Sequence, residues 1–580
     1  MSQDTNANTE KRSLPEQVDL RVRAAIGRMF SSISPNSSFL AWIDWMLHLA
    51  VSPGKKAELI REAWLDWGQL AQYAQQAAKG NGEDTQLLKD RRFAAPEWQK
   101  WPFNVMQQAF LLNQRWREKA TQGVHGVDKH HEKVIAFAAR QWLDTLSPTN
   151  NLFTNPVVLR RTMEEGGMNL VRGMMNAMAE FDRALTGKAP AGTEKFVVGK
   201  DVAVTPGKVI FKNRLIELIQ YSPTTEKVRP EPVLIIPAWI MKYYILDLSP
   251  HNSLVRYLVG QGHTVFCISW KNPGVAERDL GMDDYLNLGI FDSLKAINAV
   301  VPGKKIHAAG YCIGGTLLAM ATAAMARDND DRLATTTLFT AQTDFTEPGE
   351  LALFIDESQV SMLEAAMDEK GFLTSSQMAG AFQLLRSYDL LWSRMVSQYL
   401  LGESPSMNDL MAWNADATRM PARMHSEYLR KLFLNDDLSE GRFQVGGRPI
   451  SLGDITLPVF NVGTRTDHVA PWKSVYKLHY LSPAEITFVL TSGGHNAGIV
   501  SEPGHPRRSY QMQTRAKGGL YRSPDEWIAE VPVTQGSWWP AWDKWLNDHS
   551  GAPVSPPKMG AAAKGYTPLY DAPGEYVMEK

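Results

Sequence analysis

The stretch from Lys305 to Ala326 limits what this chain can fold into more than any other. Lys305-Ile306-His307-Ala308-Ala309 is a short apolar run that reads as a buried strand. Thr316 to Ala326 is apolar on nearly every face and built from good helix formers, so it reads as a buried helix. Between them stands Gly310-Tyr311-Cys312-Ile313-Gly314-Gly315. A strand, a tight glycine turn and a helix form the context in which a G-x-S-x-G sequence becomes a nucleophile elbow. Glycines on either side let strand and helix close up without Cβ clashes. Here the central residue is Cys312, which points to acyl transfer through a thioester wherever a base stands nearby. A free cysteine is otherwise a small buried hydrophobe. The flanking strand and helix favour the nucleophile, and the choice rests on its partners.

Composition narrows the classes. The chain has 580 residues, 44% hydrophobic and 10% aromatic, enough for a substantial core and more than one domain. Its 61 basic and 62 acidic residues leave a net charge of -1, which argues against a general nucleic-acid footprint. The two cysteines, Cys267 and Cys312, exclude a disulfide scaffold and a cysteine-rich zinc site. Cys267 lies in a continuous apolar run, Thr264 to Ser269, where packing is its expected role. Met1 to Gln17 lacks the apolar core of a secretory signal, and no uninterrupted apolar stretch approaches membrane-spanning length. A cytoplasmic protein is the expectation.

Residues 1–20 are expected to form a disordered tail. Residues 21–185 read as an α-helical N-terminal domain, with apolar spacing through Trp42, Trp45, Ile60, Trp64 and Trp67. His130-His131-Glu132 lacks the spacing that puts two imidazoles on one helix face, so it is a helix start rather than a metal site, and no metal or cofactor is expected. The breaker-rich segment 186–196 reads as a linker. Beyond it short strands alternate with helices through the elbow, which implies a parallel sheet with crossover helices. The alternation stops between about 345 and 448, a mainly helical stretch too long for an ordinary connection and therefore expected to be an inserted cap. It resumes with Pro458-Val459-Phe460-Asn461-Val462 and Ile486-Thr487-Phe488-Val489-Leu490. The α/β domain is thus expected over 197–550, with a C-terminal tail over 551–580.

A thiol needs a base, and histidine is the usual one. In the α/β-hydrolase arrangement the order along the chain is nucleophile, acid, histidine, each after a sheet strand. Asp467, in the loop after Val462, and His495, among glycines after Leu490, fit that order. His468 is the rival histidine but sits where the acid belongs, and His307 lies inside the elbow strand. An oxyanion hole is expected from the backbone N–H of Ile313 and one from the loop after Ile236, with Ile240 the candidate.

At these residues the sequence resembles the class I polyhydroxyalkanoate (poly-3-hydroxybutyrate) synthases. The likeness runs from Asp90-Arg91-Arg92-Phe93 to Trp538-Trp539-Pro540 and is carried by Tyr243 to Leu248, Ser269 to Pro273, the Cys312 box, Trp413 to Thr418, Asp467 to Trp472 and Gly494 to Gly498. Tyr311 and Asn496 depart from the residues usual in the family. The resemblance implies an α/β-hydrolase fold with a helical cap behind an α-helical N-terminal domain. It also implies polymerisation of (R)-3-hydroxyacyl-CoA, such as 3-hydroxybutyryl-CoA, into polyester with release of CoA. Cys312 would carry the chain as a thioester, His495 would be its base, and Asp467 would assist the 3-hydroxyl. A homodimer, granule-associated partner proteins and a helical domain that aids granule attachment are further implications.

Two other readings compete. A cysteine thioesterase of the same fold would pass the acyl group to water, since fold does not fix function. A granule-binding structural protein would need no nucleophile, and the Cys312, Asp467 and His495 set argues against it.

Overall fold

Val-Leu-Ile-Ile at 233–236 and Val-Phe-Cys-Ile-Ser-Trp at 265–270 have no polar face to offer water. Both become strands buried along their whole length, as central strands of a covered parallel sheet must be. The computed structural model describes residues 13–29, 34–79, 87–385, 391–404 and 406–580. Among them the chain forms two compact units, one of residues 1–33, 194–379 and 408–580, the other of 34–193 and 380–407.

The first unit is built on an eleven-stranded sheet. Its strands are β1 (Gly207–Lys212), β2 (Ile216–Tyr221), β3 (Val233–Ile236), β4 (Val265–Trp270), β5 (Ile306–Tyr311), β6 (Leu333–Phe339), β7 (Val459–Thr464), β8 (Ile486–Thr491), β9 (Ser509–Arg515), β10 (Val533–Gln535) and β11 (Tyr570–Asp571). Their order is β10-β9-β8-β7-β6-β5-β3-β4-β2-β1-β11. The six strands from β8 to β4 are parallel, while β2, β1 and β11 on one flank and β9 and β10 on the other run antiparallel. Ligand sites in such sheets form beyond the carboxyl ends of the parallel strands. β5, β7 and β8 end there on Tyr311, Thr464 and Thr491, next to the three loops that carry Cys312, Asp467 and His495.

Tryptophan supplies much of the packing on this unit. The helix Trp539–Asp548, opened by Pro540 in its first turn, buries Trp539, Trp542, Trp545 and Leu546. Trp538 and Trp542 lie 5.2 and 5.0 Å from the Phe339 ring, and Trp545 lies 5.2 Å from Phe460. Between β6 and β7 the chain is mainly helical, with helices at Glu357–Lys370, Ser375–Leu385, Asp409–Asn414 and Ala422–Glu427 and a π-helical turn at Tyr428–Leu434. Residues 380–407 of that stretch group with the helical unit instead.

Three segments differ from the sequence expectation. Leu14–Met29 is a helix that packs on Glu357–Lys370, where a tail was expected up to residue 20; residues 1–12 lie outside the described residues. The stretch 551–580, expected as a tail, adds β11 to the sheet edge and buries Tyr576 and Val577. Proline, glycine and alanine there serve close packing rather than freedom, and backbone hydrogen bonds to a sheet edge leave no mark on composition. Ser509–Arg515 is a strand that the reading passed over, because its polar residues resemble a loop.

The second unit is helical, with helices at Pro35–Ala50, Pro53–Ala78, Phe103–Thr121, Lys129–Thr145, Pro156–Glu164 and Met168–Leu185. Phe93, Trp98, Phe110 and Leu111 form its core, with the Phe93 and Trp98 rings 4.8 Å apart. Arg92, buried beside them, is held by Asp90 at 3.0 Å and Asp144 at 2.9 Å, so its charge is paired twice.

Candidate active site

Cys312 adopts φ 53° and ψ -128°, a backbone conformation that only a sharply constrained turn imposes on a non-glycine residue. Its amide bonds the Phe339 carbonyl at the end of β6, 2.9 Å away. The same residue begins the helix Ile313–Arg327, whose Gly315 and Thr316 amides bond the Cys312 carbonyl at 2.8 and 3.1 Å. Cys312 therefore stands at the N-terminal end of that helix. The glycines around it have no room for side chains. A Cβ at Gly315 would lie 2.5 Å from the Ala341 methyl, and one at Gly314 would lie 2.5 Å from the Pro237 carbonyl oxygen. The second approach lays the loop after β3 alongside the elbow.

His495 turns Nδ1 toward Asp467 Oδ2 at 2.8 Å. Burial alone would push its pKa down. The Asp467 carboxylate outweighs that, and Cys312 adds to it both by charge and as a hydrogen-bonding partner, so the imidazole is raised well above its ordinary value. Burial would raise the Asp467 carboxyl, yet His495 and the backbone amides of Ala470 and Val469 hold it below the usual range. Asp467 is fully saturated: Oδ1 accepts from those two amides, each at 2.9 Å, and Oδ2 accepts from Thr464 Oγ1 at 3.0 Å as well as facing His495. The structure thus brings Cys312, His495 and Asp467 into one connected chain.

Ile313 contributes the first amide of the elbow helix, a position whose N–H has no partner within the helix. Ile240 lies in the loop after β3, where its carbonyl accepts from the Thr418 amide at 3.1 Å. That loop is tied down further by Trp270, whose indole donates to Pro237 O at 2.9 Å, and by Trp413, which donates to Lys242 O at 2.8 Å.

His307 is not brought to the site. Its nitrogens meet Thr335 Oγ1 at 2.8 Å and Ser550 Oγ at 3.0 Å, and burial first, then His263 and His549, push its pKa down to about 3. Among the described residues no group of side chains has the makings of a metal site.

Several residues near the centre take supporting places that the sequence does not announce. Thr464 supports Asp467, and nothing but its place at the end of β7 could have suggested so. Tyr428, from the stretch between β6 and β7, lies close enough that the Cys312 charge, after burial, pushes its phenol up. Trp538 and Trp539 donate their indole N–H groups to the carbonyls of Gly498 and Ile499, at 3.0 and 2.9 Å, and so brace the histidine loop from below. Tyr311 and Asn496, the two departures from the family's usual residues, are bonded to each other.

Comparison with known proteins gives a consistent picture. Residues 13–55 match the family described as poly-beta-hydroxybutyrate polymerase N terminal, and residues 89–258 match the poly-beta-hydroxybutyrate polymerase (PhaC) N-terminus. Residues 231–502 match the alpha/beta hydrolase fold. A poly(3-hydroxyalkanoate) polymerase of Methylorubrum extorquens is 43% identical over 85% of this chain and 81% of its own. The poly(3-hydroxyalkanoate) polymerase subunit PhaC of Rhizobium meliloti is 40% identical over 84% and 79%. The subunit of the same name from Cupriavidus necator is 36% identical over 94% and 92%.

Proposed function

The chain belongs to the poly(3-hydroxyalkanoate) polymerase family, an acyltransferase family on the α/β-hydrolase fold, and we propose that it polymerises (R)-3-hydroxyacyl-CoA through a thioester on Cys312. The observation that carries the residue assignment is the connected chain from the elbow cysteine through His495 to the saturated Asp467.

The chemistry follows from the geometry. His495 takes the thiol proton, and the Cys312 sulfur attacks the thioester carbonyl of the substrate. Negative charge gathers on the carbonyl oxygen, where the Ile313 amide and one from the loop after β3, with Ile240 the candidate, stabilise it. The intermediate collapses, the bond to the CoA sulfur breaks, and His495 returns the proton to the leaving thiolate. The acyl group now sits on Cys312. In the next step His495 accepts the proton of the 3-hydroxyl of an incoming acyl-CoA, and that oxygen attacks the Cys312 thioester. An ester bond forms as the bond to the Cys312 sulfur breaks, and His495 returns the proton to the Cys312 thiolate. The lengthened chain, now on CoA, passes back to Cys312 by the first step with release of CoA. The saturation of Asp467 favours a role in orienting and charging His495 over direct removal of the hydroxyl proton.

The partners are the acyl-CoA substrate and the polyester product. No helix among the described residues is long and apolar enough to cross a membrane. Attachment to polyester granules is supported by apolar side chains that the helical unit leaves exposed, among them Trp64, Trp67, Met174 and Phe181. A homodimer and granule-associated protein partners belong to the same reading.

The experiment is CoA release from (R)-3-hydroxybutyryl-CoA, with the product tested for solubility. Release with insoluble polyester, abolished in Cys312→Ala, is the expected result. Release of free hydroxybutyrate alone would establish the thioesterase instead. Polymer formation by Cys312→Ala would remove the cysteine from the mechanism.

A further inference from the structure

Tyr311 and Asn496 each stand next in the chain to a member of the reactive pair, Tyr311 before Cys312 and Asn496 after His495. Tyr311 closes β5 and is fully buried. Its hydroxyl donates to Asn496 Oδ1 at 2.5 Å, and its ring centroid lies 5.6 Å from that of His495, inclined at 43°. The Asn496 carbonyl in turn accepts the amides of Ile499 and Val500 at 3.1 and 3.0 Å, so the residue is fixed at both ends.

We propose that Tyr311 and Asn496 are a pair of positioning residues whose hydrogen bond sets the distance and angle between the Cys312 sulfur and the His495 imidazole. The inference rests on the reading of those two residues as nucleophile and base. Asp467 holds Nδ1 and thereby fixes which way the ring turns, but it sits in the loop after β7 and leaves the spacing from β5 unset. The Tyr311 hydroxyl spans that spacing, from the strand that carries the cysteine to the loop that carries the histidine. Burial, with the charges of Cys312 and Asp467, drives the Tyr311 pKa well up, so its phenol stays a donor throughout the working range.

Tyr311→Phe removes the hydroxyl and keeps the ring, and Asn496→Ala removes the acceptor. Each single variant is expected to lose about tenfold in kcat with KM unchanged, the factor that accompanies one ordinary hydrogen bond. Alkylation of Cys312 by iodoacetamide should slow by a similar factor near neutral pH, with its pH profile displaced. The double variant should be no worse than either single one, since both break the same bond. Additive losses, a loss confined to KM, or an unmoved alkylation profile would overturn the proposal. Where Asn496→Ala fails to fold, Tyr311→Phe decides alone by the same two readouts. Cys312→Ala, run in parallel, separates the levels. Activity retained there defeats the underlying assignment. Activity lost there, with Tyr311→Phe behaving like the unaltered enzyme, defeats only the positioning role.

Discussion

Asp467 illustrates how little freedom a supporting residue keeps once its loop has formed. Two backbone amides, a threonine hydroxyl and the His495 ring occupy its two oxygens. Replacing it by asparagine keeps the shape but offers an amide where Nδ1 needs an acceptor. We expect Asp467→Asn to lose roughly ten-thousandfold in kcat, in line with the same change in a serine triad. The acid limb of its pH profile should move to lower pH, because a general base must be unprotonated and the carboxylate that raises His495 has gone. An unchanged acid limb would mean that Asp467 does not charge the imidazole. The same pair has a stability signature. His495 is raised in the folded protein, so its contribution is complete below the unfolded value of about 6.5 and is lost as pH rises through the folded one. Asp467 is depressed, so its contribution is complete above about 3.9 and is lost as pH falls through the folded value. The stability gap between the native chain and Asp467→Asn, measured by denaturant, should therefore be widest near pH 5 and narrow toward alkaline pH. A gap constant with pH would contradict the pairing.

At the scale of elements, the site depends on backbones that approach each other at glycine. A Cβ on Gly498 would come within 2.5 Å of Thr464 Cγ2, the residue that supports Asp467, and 3.0 Å of the Gly494 carbonyl. Gly498→Ala should thus part the histidine loop from the end of β7. An overpacking cost of about 1–3 kcal/mol is expected, with a loss of kcat larger than the loss of stability implies. Full activity with an unchanged melting temperature would show that the loop has slack. These elements were legible in the sequence where burial on both faces wrote a continuous apolar run, as in β3, β4, β5 and β8. The elbow was legible because glycines bracket Cys312. Ser509–Arg515 was not, since an edge-side strand can be polar on both faces. Nor was the meeting of Tyr311 with Asn496, because hydrogen bonds between residues far apart in sequence leave no period to read. Order and spacing single out the residues proposed to carry the chemistry, and leave no mark of those that hold them.

At the scale of the molecule, the C-terminal segment closes over the flank of the sheet and reaches back to the loop after β3. Lys242 in that loop is buried, and its ammonium donates to the Glu579 carbonyl at 2.5 Å and the Tyr576 carbonyl at 3.3 Å. Burial pushes its pKa down, against the pull of Asp416 and Glu579. Fully buried Glu217 anchors the same segment, accepting from the Glu575 and Tyr576 amides at 2.9 and 3.0 Å and from the Tyr570 hydroxyl. The Glu579 carboxylate accepts the Asn272 amide at 3.2 Å. Deleting Tyr576–Lys580 would strip Lys242 of its carbonyl acceptors and leave a buried cation poorly paired, at a cost of roughly 3 kcal/mol. The loop it belongs to carries Ile240, so the loss should appear in kcat as well as in the melting temperature. Lys242→Met in the shortened chain removes the stranded charge while keeping the aliphatic stem, and should restore most of the stability. It should restore little of the kcat, because the loop remains without its strap. A shortened chain that melts with the full one would show that the strap carries no load. Recovery of both properties by Lys242→Met would instead assign the whole effect to the buried charge and none to the position of the loop.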